Sequence, residues 1–209
     1  ILATCGADLL IYGMGELPLK EIATRCKNGE SIFDMHDVPQ TSYIVTGNKI
    51  PDFDGDTFEL FPHLECCKDK MKQAKNFRVI EEESNKMVAQ RLVQRIDKDH
   101  ITVVNPPFPV MESKDLDASF DLPYTRLPHP KYKGKRIPAY DMIKFSINIH
   151  RGCFGGCSFC AISAHQGKHI TSRSKESIMR EVKEVCEHPE FKGYLSDLGG
   201  PSANMYGMR

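Results

Sequence analysis

Apolar positions alternate most regularly at Ile143, Phe145, Ile147 and Ile149, with Lys144, Ser146, Asn148 and His150 between them. A period of two predicts a strand with one buried face. Two further runs, 92–96 and 101–104, flank a polar Asp-Lys-Asp-His turn and predict a β-hairpin. Residues 7–13 read as a buried strand that turns through Gly13-Met14-Gly15 into a helix carrying Pro18 in its first turn. Leu19, Ile22, Ala23 and Cys26 give that helix an apolar face, and Asn28-Gly29 gives it a stop. Strand, turn and helix together read as half of a βαβ unit. A short strand is expected at Tyr43-Ile44-Val45, and helix-period sequence fills 64–89.

Downstream, Ser174 is placed to cap a helix whose stripe is Ile178, Met179, Val182 and Val185. A second strand over 193–198 then ends at Gly199-Gly200-Pro201. Strand, long loop, helix and strand predict a right-handed parallel crossover. The fold class is therefore α/β. Three parts are expected: residues 1–104, a proline-rich connecting segment over 105–140 with a solvated basic run at 131–136, and residues 141–209. The first residue is Ile1 and the last stretch is glycine-rich, so the chain reads as a piece of a longer protein.

Composition narrows the function classes. The 209 residues include 28 Lys plus Arg and 28 Asp plus Glu, a formal charge of zero. That balance argues against a basic nucleic-acid domain. No run approaches the length of a membrane span. Eight cysteines in a chain this long fit a reducing cytoplasm better than a secreted disulfide scaffold. Cys5, Cys26, Cys66, Cys67 and Cys186 are expected to be buried thiols.

The other three form C-x3-C-x2-C: Cys153, Cys157 and Cys160, among Gly152, Gly155 and Gly156. Such thiolates can converge on one soft metal centre. One alternative is a non-enzymatic Cys3His zinc module, with His150, His165 or His169 as fourth ligand. The other is an iron–sulfur cluster that keeps one iron open. His150 itself is expected to be a hydrogen-bonded loop or wall residue in preference to a metal ligand.

The motif, with Phe159 before its third cysteine and a strand upstream, resembles the radical S-adenosylmethionine (SAM) motif. The strings 148–157 and 196–206, with Val103-Val104-Asn105-Pro106-Pro107, are similar to the YgiQ-type radical SAM proteins. The resemblance implies that Cys153, Cys157 and Cys160 ligate three irons of a [4Fe-4S] cluster and that SAM chelates the fourth. It places Phe159 against the adenine and Gly199 and Gly200 near the methionyl amino group. Pro201 stands where the family has an acidic residue, which removes one contact to that amino group. It further implies reductive cleavage of SAM to a 5′-deoxyadenosyl radical, with an electron donor as partner and a substrate that stays unknown. The fold implied is the tail of a flavodoxin- or cobalamin-binding-like domain, a linker, and the first βαβ part of a radical SAM (β/α) partial barrel. Ile143, Phe145, Ile147 and Ile149 would then face helices, and the polar alternates the reaction chamber. Such a fragment is expected to hold its cluster poorly and not to turn over alone.

Other motifs carry less. Gly13-Met14-Gly15 lacks the last glycine of a dinucleotide loop, because Pro18 occupies it. Asp34-Met35-His36 has Pro39 where a cobalt-ligating motif needs glycine, so cobalamin is not predicted. Asp52, Asp54 and Asp56 start like a calcium loop but lack its glycine and final glutamate, and read as a polar turn.

Overall fold

Residues 2–47, 49–53 and 55–208 are described by the structure, a computed structural model. The chain divides into two compact units, Ile1–Val110 and Met111–Arg209. Asp54, the middle acid of the polar turn, lies outside the described residues. In the first unit a helical turn α1 (Leu2–Cys5) and a strand β1 (Leu10–Ile11) lead into α2 (Glu16–Lys27). Strands β2 (Thr41–Thr46) and β3 (Thr57–Glu59) precede helices α3 (His63–Cys66) and α4 (Lys70–Glu83). Strands β4 (Arg91–Arg95) and β5 (His100–Val104) complete the unit.

The sheet order is β1-β2-β5-β4-β3, with β3–β4 parallel and the other pairs antiparallel. Val93 faces Val103 in the β4–β5 hairpin. Together with Tyr43 and Ile101 they make one core cluster, the β-branched side chains filling the pleated face. Ile22, Met35 and Val38 make a second cluster.

The β1–α2 segment is not half of a βαβ unit. Strand β1 has two half-buried residues and pairs antiparallel with β2, so the chain reverses after α2 instead of crossing over. Gln40 makes that reversal: its φ is 60° and its amide donates to the carbonyls of Tyr12 (2.5 Å) and Met14 (2.6 Å). Helix α2 buries Ile22 and Pro18, while Leu19 and Cys26 are exposed. It stops at Asn28, and Gly29 follows at φ 89°. All eight cysteines are free thiols, but of the five scattered ones only Cys66 is buried; helix surfaces carry Cys26 and Cys186.

The hub of this unit is Asn105, 1% exposed. Its Nδ2 donates to the carbonyls of His36 (2.8 Å) and Val38 (2.9 Å) and to Thr41 Oγ1 (3.1 Å). Its Oδ1 accepts from Arg91 Nε at 3.0 Å, and its carbonyl accepts from the Tyr12 hydroxyl at 2.6 Å. Asn105 thus joins strands that local periodicity cannot relate. His36, from the rejected cobalt motif, stacks on Tyr43 with centroids 4.2 Å apart.

In the second unit α5 (Ser113–Phe120) and α6 (Pro138–Ile143) precede β6 (Ser146–Asn148) and β7 (His150–Arg151). Helix α7 (Ile162–Gln166), β8 (Thr171–Ser172), α8 (Lys175–Glu187) and β9 (Asp197–Gly199) follow. Ile143 is not part of the alternating strand. It ends α6, which starts at Pro138, and its side chain is exposed. From Phe145 onward the alternation holds: Phe145, Ile147 and Ile149 pack with Val185, Ile178 and Val182 of α8. Burying each such aliphatic side chain contributes about 1.5–3 kcal/mol.

Ser174 Oγ accepts from the Ser177 amide at 3.1 Å, capping α8. Met179 is exposed, because i, i+4 and i+7 from Ile178 already complete the buried stripe. Strands β6 and β9 pair in parallel, with Asn148 opposite Gly199. Arg173 locks this unit from a fully buried position. It donates to the Asn148 carbonyl (2.9 Å) and to Ser177 Oγ (2.8 Å), pairs with Glu181, and lies 4.2 Å from the Phe120 centroid.

Candidate functional site

The cysteine loop leaves β7 at Gly152, where two constraints demand glycine. Its φ is 90°, and a Cβ there would stand 2.9 Å from the His169 carbonyl carbon and closer still to its oxygen. The Gly152 amide donates to Gln166 Oε1 at 3.1 Å, and the Cys153 amide to the Gly167 carbonyl at 3.1 Å. Helix α7 and the turn after it therefore anchor the start of the loop.

Cys153 is 7% exposed, Cys157 is exposed and Cys160 is half-buried. A turn links the last two, with the Cys160 amide donating to the Cys157 carbonyl at 3.0 Å. A Cβ on Gly155 would lie 3.4 Å from Cys153 Sγ and 3.7 Å from Cys157 Sγ, so the bare backbone passes between two sulfurs. Ser202 Oγ donates to Cys153 Sγ at 3.1 Å. That bond and the Gly155 backbone amide hold the Cys153 thiol below its ordinary pKa against the effect of burial. Ser202 lies within the family string 196–206, but nothing local in the sequence pointed to this contact, 49 residues from Cys153.

The remaining expected residues are placed as follows. Phe159 projects from the loop, 90% exposed. Gly199 ends β9 and Gly200 follows it. His150 is fully buried, and its ring fills the space that a Cβ on Gly200 would need. It is a wall residue but not a hydrogen-bonded one: among the described residues neither ring nitrogen has a partner. Burial lowers its pKa. His165 and His169 are exposed.

Among the described residues no three His, Cys, Asp or Glu side chains are gathered to hold a metal ion, so no histidine completes a set with the thiols. The donor chemistry nonetheless fits a thiophilic cluster. Three soft ligands come from one glycine-rich loop, one is biased toward thiolate, and the backbone between two of them carries no side chain.

A loop of three cysteines following a strand and tied to a glycine-rich strand end defines a class, and comparison with known proteins gives its family. A family model described as Radical SAM N-terminal matches residues 1–146, and the chain belongs to that family. Its close homologues are UPF0313 proteins. The chain is 60% identical to the UPF0313 protein of Bacteroides thetaiotaomicron over all of its own length and 35% of that protein. It is likewise 60% identical to the UPF0313 protein of Porphyromonas gingivalis, covering 33% of it. To the UPF0313 protein YgiQ of Escherichia coli K12 it is 37% identical, again along its whole length and 35% of that protein. The chain thus spans about a third of the length of the curated relatives it matches. No solved structure matches it. No helix among the described residues is long and apolar enough to cross a membrane.

Proposed function

We propose that the chain is part of a cytoplasmic radical SAM enzyme in which Cys153, Cys157 and Cys160 hold a [4Fe-4S] cluster. The observation that carries this reading is the C-x3-C-x2-C loop between parallel strands β6 and β9, with Ser202 donating into Cys153. Held by these three cysteines and reduced by an electron donor, such a cluster would supply one-electron reductive cleavage of SAM to methionine and a 5′-deoxyadenosyl radical, for hydrogen abstraction from a substrate.

The chain's own residues bind and orient. Cys153 is already biased toward the ligating thiolate by Ser202. Gly152 lets the loop leave β7 past the His169 carbonyl, and Gly155 leaves the backbone beside two of the sulfurs bare. Phe159, exposed here, is positioned on the loop to cover an adenine ring, and Gly199 and Gly200 give a ligand access to backbone at the β9 end. In this reading β6, α8 and β9 are the first βαβ part of the barrel, and the first unit ends a flavodoxin-like N-terminal domain, in which β1 and β5 run opposite to β2, β3 and β4. SAM and an electron donor are the partners.

Anaerobic reconstitution of the full-length protein with iron and sulfide tests this, followed by EPR of the reduced sample with and without SAM. The expected result is four irons per chain and a spectrum that changes on adding SAM. Stoichiometric zinc with no response to SAM would overturn the proposal. The 209-residue chain alone is expected to retain fewer irons than the full-length protein.

A further inference from the structure

The three loop sulfurs are not equivalent. Cys153 Sγ accepts from Ser202 Oγ at 3.1 Å and from the Gly155 backbone amide. Among the described residues no side chain donates to Cys157 or Cys160, and Cys157 Sγ only points at the Gly155 carbonyl, 4.0 Å away. Ser202 is an exposed residue, and a serine hydroxyl free to rotate would turn to water. Its segment is instead fixed on both sides. Before it, the Gly199 carbonyl accepts from the Ile149 amide at 2.9 Å, and the ring of Pro201 sets its own φ. After it, Met205 is buried, the Tyr206 hydroxyl donates to the Arg173 carbonyl at 2.9 Å, and the Gly207 amide donates to Ser172 Oγ at 2.9 Å. The hydroxyl therefore reaches Cys153 from a frame anchored on the buried Arg173 strand end.

A hydrogen bond to a ligating thiolate draws electron density from the sulfur. It stabilises the more negative, reduced state of an iron–sulfur centre more than the oxidised state, and so raises the potential. Cys153 is the buried one of the three, where a hydrogen bond counts for more than in water. We infer that Ser202 is a positioning residue that holds Cys153 and makes the cluster easier to reduce. The inference rests on the proposed radical SAM reading. The step it concerns is the passage of one electron from a low-potential donor to the oxidised cluster. No bond is made or broken in that step, and the Ser202 proton stays on its oxygen.

The test uses the reconstituted full-length protein and a redox titration followed by EPR, without SAM, in wild type, Ser202→Ala, Ser202→Thr and Ser202→Val. Threonine keeps the hydroxyl, and valine has threonine's shape without it. Iron content serves as the folding control. The expected result is four irons per chain throughout, with the reduced-to-oxidised ratio at a fixed potential about tenfold lower in the alanine and valine variants, or about 59 mV for one electron. Ser202→Thr is expected to titrate with the wild type. A ratio within about twofold of wild type in a loaded alanine or valine variant, or equal shifts in the threonine and valine variants, would overturn the inference while leaving the function intact. So would loss of the cluster from both hydroxyl-free variants, which would make Ser202 a structural tether. A wild-type protein that loads no cluster, or whose spectrum does not respond to SAM, removes the functional reading and the inference with it.

Discussion

A methyl group added at residue 152 would meet the carbonyl of His169 on a backbone already at φ 90°. Gly152→Ala is therefore expected to destabilise the second unit by about 3 kcal/mol, from left-handed strain plus a clash with unyielding backbone. Urea denaturation measures this, and a change below about 0.5 kcal/mol would contradict the geometry. Asn105 stands at the same scale for a different reason. Asn105→Ala takes one acceptor from Arg91 Nε and the amide donor from the His36 and Val38 carbonyls, with an expected loss of about 3 kcal/mol. If chemical denaturation shows the variant as stable as the parent, water has replaced the amide and the hub is dispensable. Asn105-Pro106-Pro107 was visible in the sequence as part of a family string, but its reason was not. The acceptors of its Nδ2 lie 64 to 69 residues away.

Among the elements, α8 is the most completely legible. Its Ser174 cap and the spacing of Ile178, Val182 and Val185 are local patterns, and they set where the helix starts and which side it buries. What holds α8 from outside is not local. Asp121, at the end of α5, accepts from Ser177 Oγ at 2.9 Å and pairs with Arg180. Burial works against its charge, but the bonds from Arg180 and Ser177 and the nearby Arg173 outweigh it and hold the carboxyl below the ordinary range. Its folded pKa lies below its unfolded one. The stabilisation is thus complete above the ordinary aspartate range and is lost as pH falls through the folded value. Wild type is expected to lose more stability than Asp121→Asn on acidification below about pH 4. Parallel acid titration curves for the two proteins, followed by circular dichroism, would sink this account. Helix α6 shows the opposite case. Pro138 opens a helix that takes Ile143 out of an apparent strand pattern, so alternation alone overran the element by three residues.

For the whole molecule, two units with separate cores imply two unfolding events. Calorimetry is expected to resolve two transitions, with Asn105→Ala lowering one and Gly152→Ala the other. A single transition lowered by both substitutions would show that the units unfold together. The sequence by itself determined the features whose causes lie within a few residues. These are the valine- and isoleucine-rich hairpin over 91–104, the stop at Asn28-Gly29, the cap at Ser174, and the cysteine loop with its glycines. Tertiary structure decided the rest. It paired β1 antiparallel through Gln40, buried His150 under Gly200, brought Ser202 to Cys153, and left Cys26 and Met179 on the surface. The physical reason is range: periodicity and capping act over one or two turns, whereas these contacts join residues dozens of positions apart and appear only once the chain has closed on itself.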